Sequence, residues 1–257
     1  MTDREIKTEI YRDNFQNYKK YGIPKAQLVI ADIPYNLGVN AYGSNPKWYN
    51  GGDNSNGESK LAGSTFFDTD GYFKIPEYMH FCSKLLIKEP KESGKAPAMI
   101  VFCAYNQLDM LAEYGKKYGF MHSYPLFFIK DYSPQVLKAN MRIVGAVETA
   151  IVLYRDKLPK FNNHGKMIFN WFKWERDGKD IPKIKKKKKP VKVLKRLIEI
   201  FTDEYDVVID PCAGSGSTLR ACMELNRSSY GFELDKKFYQ EAKDKMINNC
   251  DIQISLF

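Results

Sequence analysis

The sequence predicts an α/β protein built on a mostly parallel, doubly wound sheet, and three observations predict it. Short strand-like runs (27–31, 98–103, 207–210, 229–233) alternate with segments of helical periodicity. The stretch Asp210-Pro211-Cys212-Ala213-Gly214-Ser215-Gly216-Ser217-Thr218 leaves one of those runs and opens a helix, which is where an open α/β sheet receives its ligands. A second turn, Asp32-Ile33-Pro34-Tyr35-Asn36, leaves another apolar run and therefore lies at the carboxyl edge of the same sheet.

Each element follows from local chemistry. Up to about Lys20 the spacing of apolar residues predicts a helix, which Gly22 and Pro24 end before the buried strand 27–31. Residues 36–71 are rich in Gly, Asn, Ser and Asp and predict a long loop of the kind that carries function. Tyr78, Phe81, Cys82, Leu85 and Leu86 recur at helical spacing within 75–88, and a buried strand follows at 98–103. A second helix is predicted over 107–117, then strands at 125–129 and 146–154. Pro190 suits the first turn of a helix that continues over 191–201. Strand 207–210, the glycine turn, helix 218–225, strand 229–233 and helix 236–248 complete the chain.

With 257 residues, 44% hydrophobic and 28% charged, the chain fits one large domain or one domain with an insertion. Disordered, collagen-like and disulfide-scaffold classes are excluded by that composition. The opening MTDREIKTEIY is charged throughout and no run approaches the length of a membrane span, so a cytoplasmic protein without membrane association is expected. Five cysteines without C-x-x-C spacing argue for reduced thiols and against structural zinc. The net charge of +9 is regional, because residues 155–196 hold 16 Lys and Arg against 4 Asp and Glu. A basic stretch of that kind is the footprint of a polyanion partner.

The glycine turn favours a nucleoside ligand. Glycines let the backbone approach closely, and Glu233, 23 residues beyond Asp210 at the end of the next strand, is placed to accept from two ribose hydroxyls. No Gly-Lys-Ser/Thr follows, which excludes a phosphate-binding Walker loop, and Leu219 stands where a dinucleotide site wants its third glycine. Asp210 would repel a pyrophosphate but suits a ligand bearing an ammonium group, such as the methionine part of S-adenosylmethionine.

Together the two turns resemble those of the DNA amino-methyltransferases. Asp32-Ile33-Pro34-Tyr35 is similar to that family's Asp-Pro-Pro-Tyr catalytic motif, and 210–218 to its Asp-Pro-Phe-x-Gly-Ser-Gly-Thr donor motif. Catalytic motif first, basic region between, then Lys189-Pro190 leading through a helix to the donor motif is the order of the β class. The resemblance implies a Rossmann-like methyltransferase fold with S-adenosylmethionine as cofactor and double-stranded DNA as partner. It divides the chain into a catalytic half (1–155), a basic target-recognition insert (156–188) and a donor-binding half (189–257). It also raises a homodimer and a cognate restriction nuclease as further partners.

Site residues follow from the resemblance. Asp32, Ile33, Pro34 and Tyr35 are assigned to catalysis; Asp210, Cys212, Ala213, Gly214, Ser215, Gly216 and Glu233, with Lys189 and Pro190, to the donor. Lys185, Lys186, Lys187, Lys188 and Arg176 are assigned to DNA phosphates, and Asn162, Asn163, His164 and Lys179 are candidates to reach base edges. No metal ligand set is expected. An exocyclic amine is a poor nucleophile because its lone pair is delocalised into the ring. Acceptors on both N–H groups, the Asp32 carboxylate and the Ile33 carbonyl, favour a pyramidal nitrogen, while Tyr35 offers a stacking face for a flipped base. The chain departs from the family at Ile33, where only the backbone oxygen is needed, and at Cys212, where an aromatic residue is usual. Asp at position 32 favours adenine N6. Cytosine N4, an RNA target and an inactive nucleic-acid-binding relative stay open on the sequence alone.

Overall fold

The computed structural model describes residues 5–35, 73–133, 143–182, 184 and 189–248. Among these, strands β1 (Thr8–Tyr11), β2 (Leu28–Asp32), β3 (Ala98–Cys103), β4 (His122–Ile129), β5 (Val147–Tyr154), β6 (Trp171–Lys173), β7 (Val207–Asp210) and β8 (Ser228–Phe232) form one sheet in the order β1-β8-β7-β2-β3-β5-β4-β6. The first five in that order run parallel; β5 is antiparallel to both β3 and β4, and β6 is parallel to β4. Helices α1 (Ile75–Leu85), α2 (Leu108–Lys117), α3 (Val191–Phe201), α4 (Ser217–Glu224) and α5 (Lys236–Glu241) cover the sheet.

β2 shows why its sequence is apolar without alternation. Leu28 and Ile30 pack with Leu194 and Leu197 of α3, whereas Val29 and Ala31 pack with Tyr78, Met79 and Cys82 of α1. A strand covered on both faces reads as a continuous apolar run, and its larger side chains, Leu28, Val29 and Ile30, each contribute about 1.5–3 kcal/mol when fully buried. From β2 the chain steps outward to β3 through α1, and from β7 it steps the other way to β8 through α4. Right-handed crossovers in opposite directions place α1 and α4 on opposite faces, so the strand order reverses between β2 and β7. That reversal opens a crevice at the carboxyl edge.

Three expectations are corrected. The amino-terminal segment is not helical: Thr8–Tyr11 pairs in parallel with the open edge of β8, and a 3-10 helix follows at Phe15–Tyr21. Asn14 starts that helix by accepting from Gln16 N, Gly22 ends it at φ 58°, and Tyr11 stacks on Tyr21 at 4.0 Å. The last helix is not uniform, since α5 passes into a π-helix at Ala242–Ile247. β4 begins at His122 and carries Pro125, which is tolerated because β6 pairs only from Phe127 onward and asks nothing of a missing N–H at 125.

Within 156–188, Trp171–Lys173 adds the edge strand β6. Phe172 stacks on Phe128 at 5.5 Å and Trp174 meets the same ring edge-on at 6.2 Å, so these aromatics pack on the main sheet. Residues 36–71, Lys185, Lys186, Lys187, Lys188 and Cys250 lie outside the described residues. Cys82, Cys103, Cys212 and Cys222 are free thiols. No helix among the described residues is long and apolar enough to cross a membrane.

Candidate active site

The turn after β7 is built around a buried carboxylate. Asp210, 4% exposed, accepts from Cys212 N at 2.9 Å and is hydrogen-bonded by the Thr218 side chain. Burial pushes its carboxyl up to about 7 despite those two bonds, and the nearby Asp32 and Glu233 charges add to the rise. Gly214 and Gly216 hold φ of 51° and 74°, the left-handed region that a side chain disfavours. The turn is tied to the end of β8 by Ala213 N donating to Phe232 O at 2.9 Å. A Cβ on Gly231 would lie 2.8 Å from Leu219 Cδ1 and 2.9 Å from Ala213 Cβ, so glycine there sets how closely helix and turn approach the sheet.

Glu233 leaves β8 with its backbone N–H on Tyr11 O at 3.0 Å, while its carboxylate accepts from Asp235 N at 2.8 Å. Asp235 in turn caps α5 by accepting from Phe238 N at 2.8 Å. Glu233, just after β8, and Asp210 and Asp32, the last residues of β7 and β2, thus stand at the carboxyl ends of three adjacent parallel strands along one edge. Such a row of carboxylates favours a cationic ligand. Burial holds the half-buried Cys212 thiol well above its ordinary pKa, so it packs as a small apolar group.

The turn after β2 is held from several sides. Ile33 N donates to Phe102 O at 3.2 Å, and Gln107 Nε2 donates to Pro34 O at 3.2 Å. Gln107 is itself fixed by accepting from Ala104 N at 2.9 Å. The Tyr35 hydroxyl donates to Glu148 Oε2 at 2.8 Å and accepts from Lys189 Nζ at 2.8 Å. Lys189, which the resemblance groups with the donor site, brings its ammonium to the catalytic turn, 3.0 Å from Asp32 Oδ1 and 3.4 Å from Glu148 Oε2. Glu148 also pairs with Lys130.

Electrostatics in this cluster are mutually supporting. Burial alone would raise the Glu148 carboxyl, but Lys189 and Lys130 outweigh it and bring it down to about 2. Burial would lower the Lys189 ammonium, yet Asp32 and Glu148 lift it above the ordinary lysine value. Tyr35 is pushed well above the usual phenol range, by burial first and then by the Asp32 and Glu148 charges, so it stays protonated and can donate.

Asp32, Ile33, Pro34 and Tyr35 therefore sit at one carboxyl edge with Asp210, Cys212, Ala213, Gly214, Ser215, Gly216 and Glu233. Pro190 lies just before α3 as its cap residue. Arg176 is exposed, its guanidinium 3.9 Å from the centroid of Tyr132. Asn162 is committed elsewhere: its Nδ2 donates to Glu199 O at 3.1 Å and Thr202 O at 2.9 Å, closing the end of α3. Asn163 accepts from Gly165 N at 3.1 Å in a turn where His164 has φ 49°. Sequence reasoning missed Glu148, Lys130 and Gln107. An acid at the start of an otherwise apolar strand was the available signal for Glu148.

Residues 26–244 match the family model described as DNA methylase. The DNA adenine methyltransferase YhdJ of Escherichia coli is 26% identical, with 91% of this chain and 80% of that protein covered. Over a shorter stretch, the Type II methyltransferase M.HindIII of Haemophilus influenzae is 43% identical, covering 24% of this chain and about a fifth (21%) of that protein. Among solved structures, M1.HpyAVI superposes with a TM-score of 0.66 at 20% identity, covering 95% of this chain and 99% of that one, and has also been solved as its complex with S-adenosylmethionine. The cytosine-N4-specific PvuII DNA methyltransferase superposes with a TM-score of 0.65 at 16% identity, covering 95% and 89%. The match across most of the chain, on a fold that sets both motif turns at one sheet edge, means that this protein belongs to the DNA methylase family, the S-adenosylmethionine-dependent methyltransferases of exocyclic N6 and N4 amines.

Proposed function

We propose that the protein methylates the exocyclic N6 amine of a flipped adenine in double-stranded DNA. The observation that carries this reading is the placement of the Asp32 and Asp210 turns on neighbouring strands β2 and β7, at the point where the strand order reverses. S-adenosylmethionine, when bound, supplies an electrophilic methyl group on a sulfonium centre. The residues present suit it: Gly214 and Gly216 keep the turn open to close approach, the acidic edge favours its positive charge, and Glu233 on that edge is the carboxylate assigned to its ribose.

On the acceptor side, Asp32 and the Ile33 carbonyl take the two N–H bonds of the amine and direct its lone pair. Stacking on the Tyr35 ring is worth about 1–3 kcal/mol and holds the base out of the helix. Once methylated, the nitrogen is strongly acidic and releases its proton to Asp32 or to water. Aspartate at position 32 and the adenine specificity in YhdJ's name favour N6. Transfer of labelled methyl to unmodified DNA, followed by nucleoside analysis, tests the reading. N6-methyladenine is expected; N4-methylcytosine would replace the target, and transfer to RNA alone would overturn the proposal.

Asp210 makes donor binding pH-dependent. Its folded pKa of about 7 lies above the ordinary 3.8, so the folded protein holds a proton there that the unfolded chain releases. Asp210 therefore lowers stability progressively as pH rises through that window. A cationic donor favours the ionised form, so affinity should rise about tenfold between about pH 6 and pH 8. Calorimetric titration at several pH values should show this slope in the wild type and lose it in Asp210→Asn. Equal slopes in the two proteins would reject the assignment.

The basic segment supplies phosphate contacts. Lys189 is buried on the catalytic turn, which leaves Lys185, Lys186, Lys187 and Lys188 for DNA. Replacing these four by alanine should weaken specific and random duplexes alike and lower the salt slope by about 0.9 for each phosphate that is no longer neutralised. Sequence preference should survive. Filter binding at several salt concentrations decides, and an unchanged slope would show that these lysines touch no phosphate.

A further inference from the structure

We propose that Glu148 is a positioning residue for methyl transfer, holding Lys189 and Tyr35 and through them the orientation of Asp32. The inference rests on the reading of Asp32 and Tyr35 as the groups that meet the base. Because β5 runs antiparallel to β3, its beginning lies at the carboxyl edge of the parallel strands, which brings Glu148 beside the catalytic turn. One oxygen of its carboxylate, Oε2, takes the Tyr35 hydroxyl at 2.8 Å and lies 3.4 Å from Lys189 Nζ; the other, Oε1, pairs with Lys130. Lys189 Nζ then spans to Asp32 Oδ1 at 3.0 Å, so the chain Lys130, Glu148, Lys189, Asp32 alternates in sign and balances in charge.

A stability role alone does not account for this cluster. Buried ion pairs lose so much hydration that apolar side chains of similar volume serve stability as well or better, and β5 uses such residues at Ala150 and Val152. Here the charges converge instead on the two side chains assigned to the base. Tyr35 is held at its hydroxyl end by both Glu148 and Lys189, which fixes the direction of its ring axis. Lys189 Nζ lies 5.2 Å from the ring centroids of Tyr35 and Phe102 and 5.6 Å from that of Trp174, a cage in which its place is defined by the two carboxylates. Among the described residues, the groups facing Lys189 are Asp32 from β2, Tyr35 from the turn, Cys103 from β3 and Glu148 from β5, with Lys130 behind Glu148.

Glu148→Gln should lower the single-turnover methylation rate about 100-fold, the usual cost of misplacing reacting groups by about 1 Å. Donor affinity should stay within about twofold, since the donor turn is on other strands. The variant leaves Lys130 unbalanced and will melt at lower temperature, so Lys130→Met/Glu148→Gln is the second variant, which restores charge balance. Its melting temperature should recover while its rate does not; recovery of both would overturn the proposal. The alkaline limb of the rate profile should also move to lower pH in Glu148→Gln, because Lys189 keeps a single carboxylate against its burial. The Lys189 ammonium, followed by nitrogen NMR, should be protected from exchange in the wild type and lose that protection in Glu148→Gln. Unchanged protection overturns the proposal even if the wild type methylates no DNA, an outcome that would by itself overturn only the proposed function.

Discussion

Replacing Asp32 by alanine is expected to reduce methyl transfer about 1,000-fold or more while leaving donor affinity nearly unchanged. In the proposed mechanism the carboxylate acts on the amine, and loss of one preorganised hydrogen-bonding group in a desolvated site commonly costs two to three orders of magnitude. Here the loss is compounded, because Lys189 would keep only Glu148 as its carboxylate partner among the described residues and would place a cation where the amine needs an acceptor. Asp32→Asn separates the two effects: it keeps the side-chain volume and one carbonyl acceptor but gives up the ion pair. Its rate should lie between wild type and Asp32→Ala, closer to the latter. Single-turnover assays at saturating donor measure the chemical step directly. If Asp32→Ala kept more than a tenth of the wild-type rate, Asp32 would have no direct part in activating the amine.

How much of this site could be read from the chain depended on whether the determinant was local. The two motif turns were legible because a strand end, a proline and glycines in the left-handed region are requirements of a few consecutive residues, and both turns appear where they were expected. Strands buried on both faces were legible for the same reason, as continuous apolar runs. β1 was not, since its four residues become a strand only by pairing with β8 more than two hundred residues later. Asn162 had a side chain suited equally to a base edge or to orphan helix carbonyls, and the packing against α3 decided for the latter. Lys189 was grouped with the donor site by its place beside Pro190; its position against the catalytic turn comes from β2 and β5 bringing Asp32 and Glu148 to either side of it. A buried charge network is a property of three distant segments at once, so no local pattern announces it.

Glu233→Ala is expected to weaken donor binding by about 100-fold or more with little effect on DNA affinity. In the proposed donor site the carboxylate takes two ribose hydroxyls, hydrogen bonds worth about 1.5–3 kcal/mol each, and alanine removes both. The carboxylate also accepts from Asp235 N at 2.8 Å, so part of its work is to shape the bend after β8. That bend has independent support: Glu233 N remains bonded to Tyr11 O at 3.0 Å and Asp235 still caps Phe238 N at 2.8 Å. The start of α5 should therefore persist in the variant, and its thermal midpoint should fall only slightly. Glu233→Gln retains one acceptor oxygen without the charge and should lose roughly half as much binding free energy as alanine. Removing a carboxylate from the acidic edge also lessens the repulsion on Asp210, which should lower that group's pKa and move the pH dependence of donor binding to lower pH. A Glu233→Ala protein that binds donor as the wild type does, with the same pH profile, would place the ribose elsewhere along the edge.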